Sequence, residues 1–382
     1  MRAQWVCVRL CFALRGLSDD HGHLRHLPAP VKRRPFPSDE RMEVAWLRTC
    51  RRLLESSMDS QRLLIPASLF GIILGLAGLS NDWREAARIW HAAAWIGEAI
   101  ALLAALCWLV LMVLFARKWL LSREVALAEA RHPVQCCYIA LVPVTTMLMG
   151  VSVLPHARSP AIILYTVGAI GTLMFGVWKH GLLWHGERPS SSTTPVLFLP
   201  TVAGNFVSAI GAGALGWTQI GQIFFGAGLL AWLAMESVVL HRLLLAETLP
   251  PPIRPTLGIH WAPPAVGLLA FLAVTEGPPN IFAFALLGYG LLQGLVLLRL
   301  LPWIAAQPFS PGYWGFTFGA SAIALGSLRL LERGATGPVE VIAPALFVMA
   351  NLVIGGLALA SLVSLARGKF LPAPPTAVSA IK

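Results

Sequence analysis

Charged side chains are scarce in this sequence, since Asp, Glu, Lys and Arg make up only 12% of its 382 residues. Soluble domains carry about 25%. Hydrophobic residues account for 57% of the chain, and the mean hydropathy is +0.70. So little charge does not cover a water-facing surface, and the composition therefore excludes an ordinary soluble domain and predicts an integral membrane protein.

Motifs of catalysis and metal binding are also missing. The sequence has no Gly-rich phosphate loop, no G-x-S-x-G and no H-E-x-x-H. It has no C-x-x-C pair, and Cys107, Cys136 and Cys137 lie within or at the edge of apolar runs, where we interpret them as packing residues. His180 and His185 do not share a helix face. The sequence therefore predicts no enzyme activity, no cofactor and no metal.

Apolar runs long enough to cross a membrane recur along most of the chain. Crossing ~30 Å of hydrocarbon takes roughly 20 residues of helix, and the runs are too long for the ~10-residue strands of a membrane barrel. We therefore predict an all-α integral membrane protein with ten transmembrane helices. The predicted spans are 64–81, 92–116, 134–154, 159–184, 195–215, 218–241, 256–275, 281–304, 311–331 and 341–366.

Basic residues are distributed unevenly between the two sides of these spans. The tails and the loops that follow even-numbered spans hold 24 of the 29 Lys and Arg residues, 12 of them in residues 1–62. Without that long tail the ratio is still 12 to 5. By the positive-inside rule both termini are predicted to be cytoplasmic. The charges are spread over loops without interleaved aromatic residues, which argues against a nucleic-acid partner.

The two ends of the chain are set apart from a predicted pore domain at 63–367. Residues 1–62 are rich in Arg, His and Pro and show no clear periodicity. They are predicted to form a disordered basic cytoplasmic tail that contacts anionic membrane lipid, or to arise in part from a start assigned upstream of Met42 or Met58. Residues 368–382 are predicted to be a short cytoplasmic C-terminal tail.

Helix-breaking residues recur in the odd-numbered spans, 56 to 77 residues apart. A proline inside a helix leaves a carbonyl unpaired, which is tolerated in a membrane where neighbours or water satisfy it. We therefore predict five helical hairpins in which kinked odd-numbered helices surround a shared, partly hydrated pore. The predicted kink positions are Pro66, Pro143, Pro200, Pro263 with Pro264, and Gly319.

Polar side chains are few on the odd-numbered spans, and those present are neutral or weakly basic. They are predicted to give an anion weak donors without a tight site. His260 is interpreted either as a residue of the pore entrance or as a packed, hydrogen-bonded histidine. Glu98 and Glu236 lie on even-numbered spans, where we predict pairing with arginines near the interface. The predicted donors are Asn205, Ser68, Thr145, Thr146, Thr201, Ser208, Thr317 and Ser321.

Several segments together resemble a known family. "RHPV", "PTVAGNFVSA", "FFGAG", "GYGLLQGLVLLRLLPW" and "YWGFTFG" occur in the order and spacing typical of the tellurite-resistance/dicarboxylate transporter family, in its TehA-like branch. Distant relatives of this family include the slow anion channels of plant guard cells. The similarity runs from about residue 63 to about 358. It implies a homotrimer in the bacterial inner membrane, with one anion-conducting pore in each subunit.

The resemblance also implies a gate. Phe318 matches the gating phenylalanine of the family, while Phe316, two residues earlier, is predicted to point elsewhere. We predict that the thin backbone at Gly315 and Gly319 makes room for the Phe318 ring across the pore. Where the plant channels have proline after the gating residue, this chain has Gly319.

Two functions stay open at this point. The first is a channel that conducts small inorganic or organic anions through a pore gated by Phe318. The alternative is a secondary carrier for C4-dicarboxylate or tellurite-type oxyanions, coupled to a proton gradient. Carriers show inverted repeats and midplane charge at broken helices, whereas this repeat is five-fold and the odd-numbered spans are almost uncharged. The pattern favours the channel.

Overall fold

The fold is given by a computed structural model that describes residues 64–186 and 190–370. The predicted tail at 1–62 and residues 371–382 of the predicted C-terminal tail lie outside the described residues, so the structure does not test those predictions. Within the described ranges every regular element is helical. The predicted all-α class is confirmed.

Long helices alternate between two kinds along the chain, inner and outer. In the apolar window of each inner segment that qualifies as a candidate span, 72–83% of the residues are buried, against 11–33% for the outer helices. The inner helices are α1 (Gly71–Trp90), α4 (Leu141–Val153), α6 (Gly204–Ala214), α8 (Ala262–Ala273) and α10 (Gly315–Glu332). The outer helices are α2 (Ala94–Leu121), α5 (Arg158–Leu183), α7 (Thr218–Leu245), α9 (Ile281–Ile304) and α11 (Pro338–Ala366), and a short helix, α3 (Arg123–Arg131), follows α2.

The inner helices form a closed ring. Each packs against the inner helix before and after it, and α10 packs against α1 to complete the circle. The closing contact is tight, because a Cβ placed on Gly78 would lie only 2.0 Å from the Oγ atom of Ser321. Each outer helix packs against the inner helix that precedes it, which gives five consecutive helical pairs.

Nine helical segments in the described ranges are long and apolar enough to cross a membrane. The first inner segment is not among them, because the second half of α1 carries Asp82, Arg84, Glu85 and Arg88. The helix nevertheless occupies a place in the ring equivalent to that of the other four. Ten spans therefore stay a prediction, while the multi-pass membrane class is established.

Each inner helix begins with a tighter or wider turn instead of bending in its middle. A 3-10 helix has poorer hydrogen-bond geometry than an α-helix and is used in short pieces at helix ends. Segments of this kind precede all five inner helices, and a π-helical turn also precedes α6. They are Ala67–Phe70, Gln135–Ala140, Pro195–Phe198 with the π-turn Leu199–Ala203, Pro251–Trp261 and Pro311–Trp314.

The predicted kink positions fit this pattern only in part. Pro200 lies in the π-turn, and Pro143 and Pro263 lie in the first turn of their α-helices. Pro66, however, precedes the first 3-10 turn, and Gly319 lies inside an α-helix that continues unbroken to Glu332. The prediction of a mid-helix break was wrong at these two positions. Proline fits the start of a helix, where its missing N–H is least needed, and a single glycine does not end a packed helix.

A buried ion pair fixes the start of the first inner segment. The Lys118 ammonium donates to the Ile65 carbonyl oxygen at 2.7 Å and pairs with the Glu129 carboxylate. The same carboxylate accepts from the Ala67 backbone N–H at 2.7 Å. Lys118 is 2% exposed. The pair therefore connects α2, α3 and the turn that leads into α1.

We expect Glu129→Gln to destabilise the protein by about 3–5 kcal/mol, because it leaves a buried ammonium without a counter-charge. The double variant Lys118→Met/Glu129→Gln should regain most of this loss. Thermal unfolding of detergent-solubilised protein measures both effects. As a matched control, Arg88→Gln changes a side chain that is 61% exposed and should cost less than about 1 kcal/mol. Equal losses for the single and double variants would contradict the structural role of this pair.

Candidate functional site

A narrow cavity lies where the five inner segments meet. All five contribute to its wall, through residues that include Ser68, Tyr138, Phe198, Pro263 and Phe318. The empty space measures about 590 Å³, but the centres of water-sized spheres fit into only about 30 Å³ of it. A single water needs roughly 10–15 Å³ on this measure, so the free space holds about two waters. The cavity occupies the half of the ring that contains the 3-10 turns.

Phe318 lies at the deeper end of this cavity. Its side chain is 7% exposed, and Leu74, Phe206 and Val266 line the wall at comparable distances into their helices. Phe316 is not part of the wall. Its ring covers Gly258, where an added Cβ would come within 2.4 Å of the ring. The expected difference in direction between the two phenylalanines is therefore observed.

The glycines beside Phe318 have a different role from the one predicted. A Cβ placed on Gly315 would lie 2.9 Å from Cγ1 of Ile259, and one placed on Gly319 would lie 2.7 Å from Cβ of Trp261. Both glycines thus allow the 3-10 segment Pro251–Trp261 to approach α10 closely. Gly315 also borders the cavity, but the space beside Gly319 is filled by Trp261 and not by the Phe318 ring.

The predicted pore residues separate into two groups. Phe318, Gly315 and Pro263 line the cavity, whereas the remaining six do not. Asn205 donates to the Thr201 carbonyl oxygen at 2.7 Å, and its Cβ faces Gly228 of the outer helix α7. The six residues outside the cavity wall are Pro66, Pro143, Pro200, Asn205, Pro264 and Gly319.

Two of these prolines pack against glycines of an outer helix. An added Cβ on Gly168 would lie 2.7 Å from the Pro143 carbonyl oxygen, and one on Gly176 would lie 2.8 Å from that of Pro200. These glycines would otherwise be candidates for contact between subunits, since small residues allow helices to pack closely in membranes. Here they serve close packing within one chain.

Most hydroxyl groups of the inner helices are already hydrogen-bonded. Thr146, Ser208, Thr317 and Ser321 donate to carbonyl oxygens of their own helices, and Thr145 does the same. Thr201 donates to a methionine sulfur. Of the predicted hydroxyl donors only Ser68 lines the cavity, together with Tyr138, a hydroxyl that our sequence reasoning missed. A tyrosine in an apolar run gives no sign of which way it faces.

The two membrane glutamates are paired, but not as predicted in both cases. Glu98 accepts from Arg84 at 2.8 Å, as expected. Glu236 has no arginine partner in the described ranges. It accepts from the Tyr289 hydroxyl at 2.6 Å and the Trp232 indole at 3.0 Å, and its Oε1 lies 3.1 Å from Nε2 of His260.

His260 itself is buried behind the cavity wall. Its ring packs against that of Phe198, which lines the cavity, with centroids 5.6 Å apart. Of the two roles considered for His260, the structure supports the packed histidine. No three His, Cys, Asp or Glu side chains of residues 64–186 and 190–370 cluster as metal ligands would.

Comparisons with known proteins agree on one family. The model of the voltage-dependent anion channel family matches residues 65–362. The chain is 36% identical over 307 residues to the tellurite resistance protein TehA homolog of Haemophilus influenzae, covering 80% of this chain and 92% of that protein. It is 23% identical to the S-type anion channel SLAH2 of Arabidopsis thaliana, covering 71% of this chain and 53% of the plant protein. The guard cell S-type anion channel SLAC1 of the same plant is also 23% identical, with 71% and 50% covered.

Proposed function

Because the chain belongs to the voltage-dependent anion channel family, we propose that it conducts small anions across the bacterial inner membrane through the cavity inside its ring of inner helices. The Phe318 ring closes this path in the resting protein. The observation that carries the proposal is that all five inner segments line one narrow cavity with Phe318 at its deeper end. Relatives are named as channels and as a tellurite resistance protein, and none of these names is that of an enzyme.

The chemistry of the wall supports passage without tight binding. No lining residue carries a charged side chain. Anion preference then rests on weak neutral donors inside the cavity and on basic loop residues, which raise the local anion concentration in a salt-dependent way. Weak sites let ions leave as readily as they enter, and this favours high throughput.

A carrier coupled to protons is the second candidate, and one observation favours it. Glu236 and His260 form a titratable pair within the membrane region, directly behind the Phe198 ring of the cavity wall. Proton relays in transporters use such groups. On this alternative, the substrate is a C4-dicarboxylate or a tellurite-type oxyanion.

A flux assay on purified protein in liposomes separates the two candidates. We expect chloride flux to follow the chloride gradient and to be unaffected by an imposed proton gradient. Glu236→Gln, which keeps the size of the side chain and removes its titration, should then leave the response to protons unchanged. Uphill chloride or succinate movement driven by the proton gradient in the wild type, and lost in Glu236→Gln, would establish the carrier instead.

The proposal extends to assembly and orientation. We propose a homotrimer with one path in each subunit, a pore domain at 63–367 and cytoplasmic tails at 1–62 and 368–382. Support comes from the family resemblance, from the basic loops on one side and from the large apolar faces of the outer helices, such as Leu102, Ile163 and Leu230, each more than half exposed. Light scattering in detergent that gives only a monomer would count against the trimer.

A further inference from the structure

Two hydroxyl groups in the cavity have no partner. Neither Ser68 nor Tyr138 makes a side-chain hydrogen bond in the described part of the chain, although both line the cavity. Tyr138 is 7% exposed. The other lining side chains are apolar, so these two hydroxyls are the polar side-chain groups of an otherwise apolar wall.

Such groups are unusual inside a protein. The large majority of buried polar side-chain atoms have a partner, and an unsatisfied one carries a desolvation cost. The six bonded hydroxyls on the neighbouring inner segments show that carbonyl partners are within reach of this backbone. The free hydroxyls are therefore available to a molecule that occupies the cavity.

The two residues lie on neighbouring segments. Ser68 belongs to the 3-10 turn Ala67–Phe70 and Tyr138 to the 3-10 segment Gln135–Ala140, and these segments pack against each other. The nearest charged groups, Lys118 and Glu129, neutralise each other beside Ala67. The site is thus a neutral pair of O–H groups, which matches an anion that needs donors in place of lost water.

We propose that Tyr138 and Ser68 form a coordination site for a partly dehydrated anion and favour strongly hydrated anions, such as chloride, over weakly hydrated ones, such as nitrate. The site rests on the proposed anion conduction. The free space holds about two waters, so an entering anion sheds most of its hydration shell. Chloride loses more by dehydration than nitrate and gains more from two fixed donors. An apolar wall alone would select in the opposite direction.

The test is the chloride-to-nitrate permeability ratio, measured from reversal potentials in planar bilayers. We expect Tyr138→Phe, which removes one oxygen atom, to lower the ratio by about three- to tenfold, the effect of one net hydrogen bond. Ser68→Ala should lower it in the same direction, and the double variant should lower it further. Tyr313→Phe is the matched control, because that hydroxyl donates to the Ile304 carbonyl oxygen at 2.9 Å outside the cavity wall. Its ratio should equal that of the wild type.

The outcomes distinguish this inference from the proposed function. An unchanged ratio in conducting Tyr138→Phe and double-variant channels would overturn the coordination site and leave anion conduction intact. A fall of equal size in Tyr313→Phe would also overturn it. If neither the wild type nor Phe318→Ala passes any anion current, the proposed conduction itself fails.

Discussion

Replacing Phe318 by alanine should raise anion conductance by about ten- to hundredfold. Moving the ring out of its apolar surroundings costs roughly 1.5–3 kcal/mol, the burial energy of a large apolar side chain. Since each 1.4 kcal/mol is a factor of ten, the wild-type path is then open only about 1–10% of the time. Truncation to alanine removes the ring and with it the need to move it. Chloride and nitrate currents of purified protein in bilayers, at matched protein density, measure the change.

Phe316→Ala is the matched control for this experiment. Its ring lies against Gly258 and outside the cavity, so its loss should leave the conductance low. If Phe318 merely packs the core, Phe318→Ala should instead cost about 3–5 kcal/mol and yield less folded protein without added current. The two interpretations differ in sign. Raised current for Phe316→Ala alone would move the gate by two residues.

Gly319→Val should prevent the ring of inner helices from forming. The first atom of the new side chain would lie 2.7 Å from Cβ of Trp261 and 3.1 Å from its carbonyl carbon. Trp261 does not yield easily, because its indole N–H donates to the Gly290 carbonyl oxygen at 2.8 Å. Overpacking of this kind costs about 3 kcal/mol or more. We expect a loss of monodisperse protein on size-exclusion chromatography.

Gly288→Val tests whether this loss is specific to the site. Gly288 lies on the outer helix α9, and nothing occupies the space within 4 Å of its added Cβ. The variant should behave as the wild type. If both variants remained monodisperse and equally stable, the close contact between α10 and Trp261 would not be required for folding.

The architecture was predictable because the membrane constrains it. Hydrocarbon thickness fixes helix length, and the alternation of helix types follows from which helices contact lipid. This is why most predicted spans lie within one or two turns of the observed helices. The first helix was underestimated, since Asp82 and Arg84 read as the end of a span although the helix continues to Trp90.

The site was less predictable, because it depends on helix rotation and on partners distant in sequence. Asn205 and Phe206 are adjacent, yet only Phe206 lines the cavity. Glu236 finds His260, 24 residues later, because two helices cross there. Tyr138 carried no signal in the sequence, since its importance lies in a missing partner that only the fold reveals.

The 3-10 turn Pro311–Trp314 ends four residues before Phe318. A 3-10 helix rises about 2.0 Å and turns about 120° per residue, against about 1.5 Å and 100° for an α-helix. If these four residues became α-helical, the chain beyond them would rotate by about 80° and shorten by about 2 Å relative to the chain before them. The segment then works as a screw, in which axial displacement and rotation are coupled. A pull on the loop that precedes Pro311 would thereby exert a torque on the Phe318 ring.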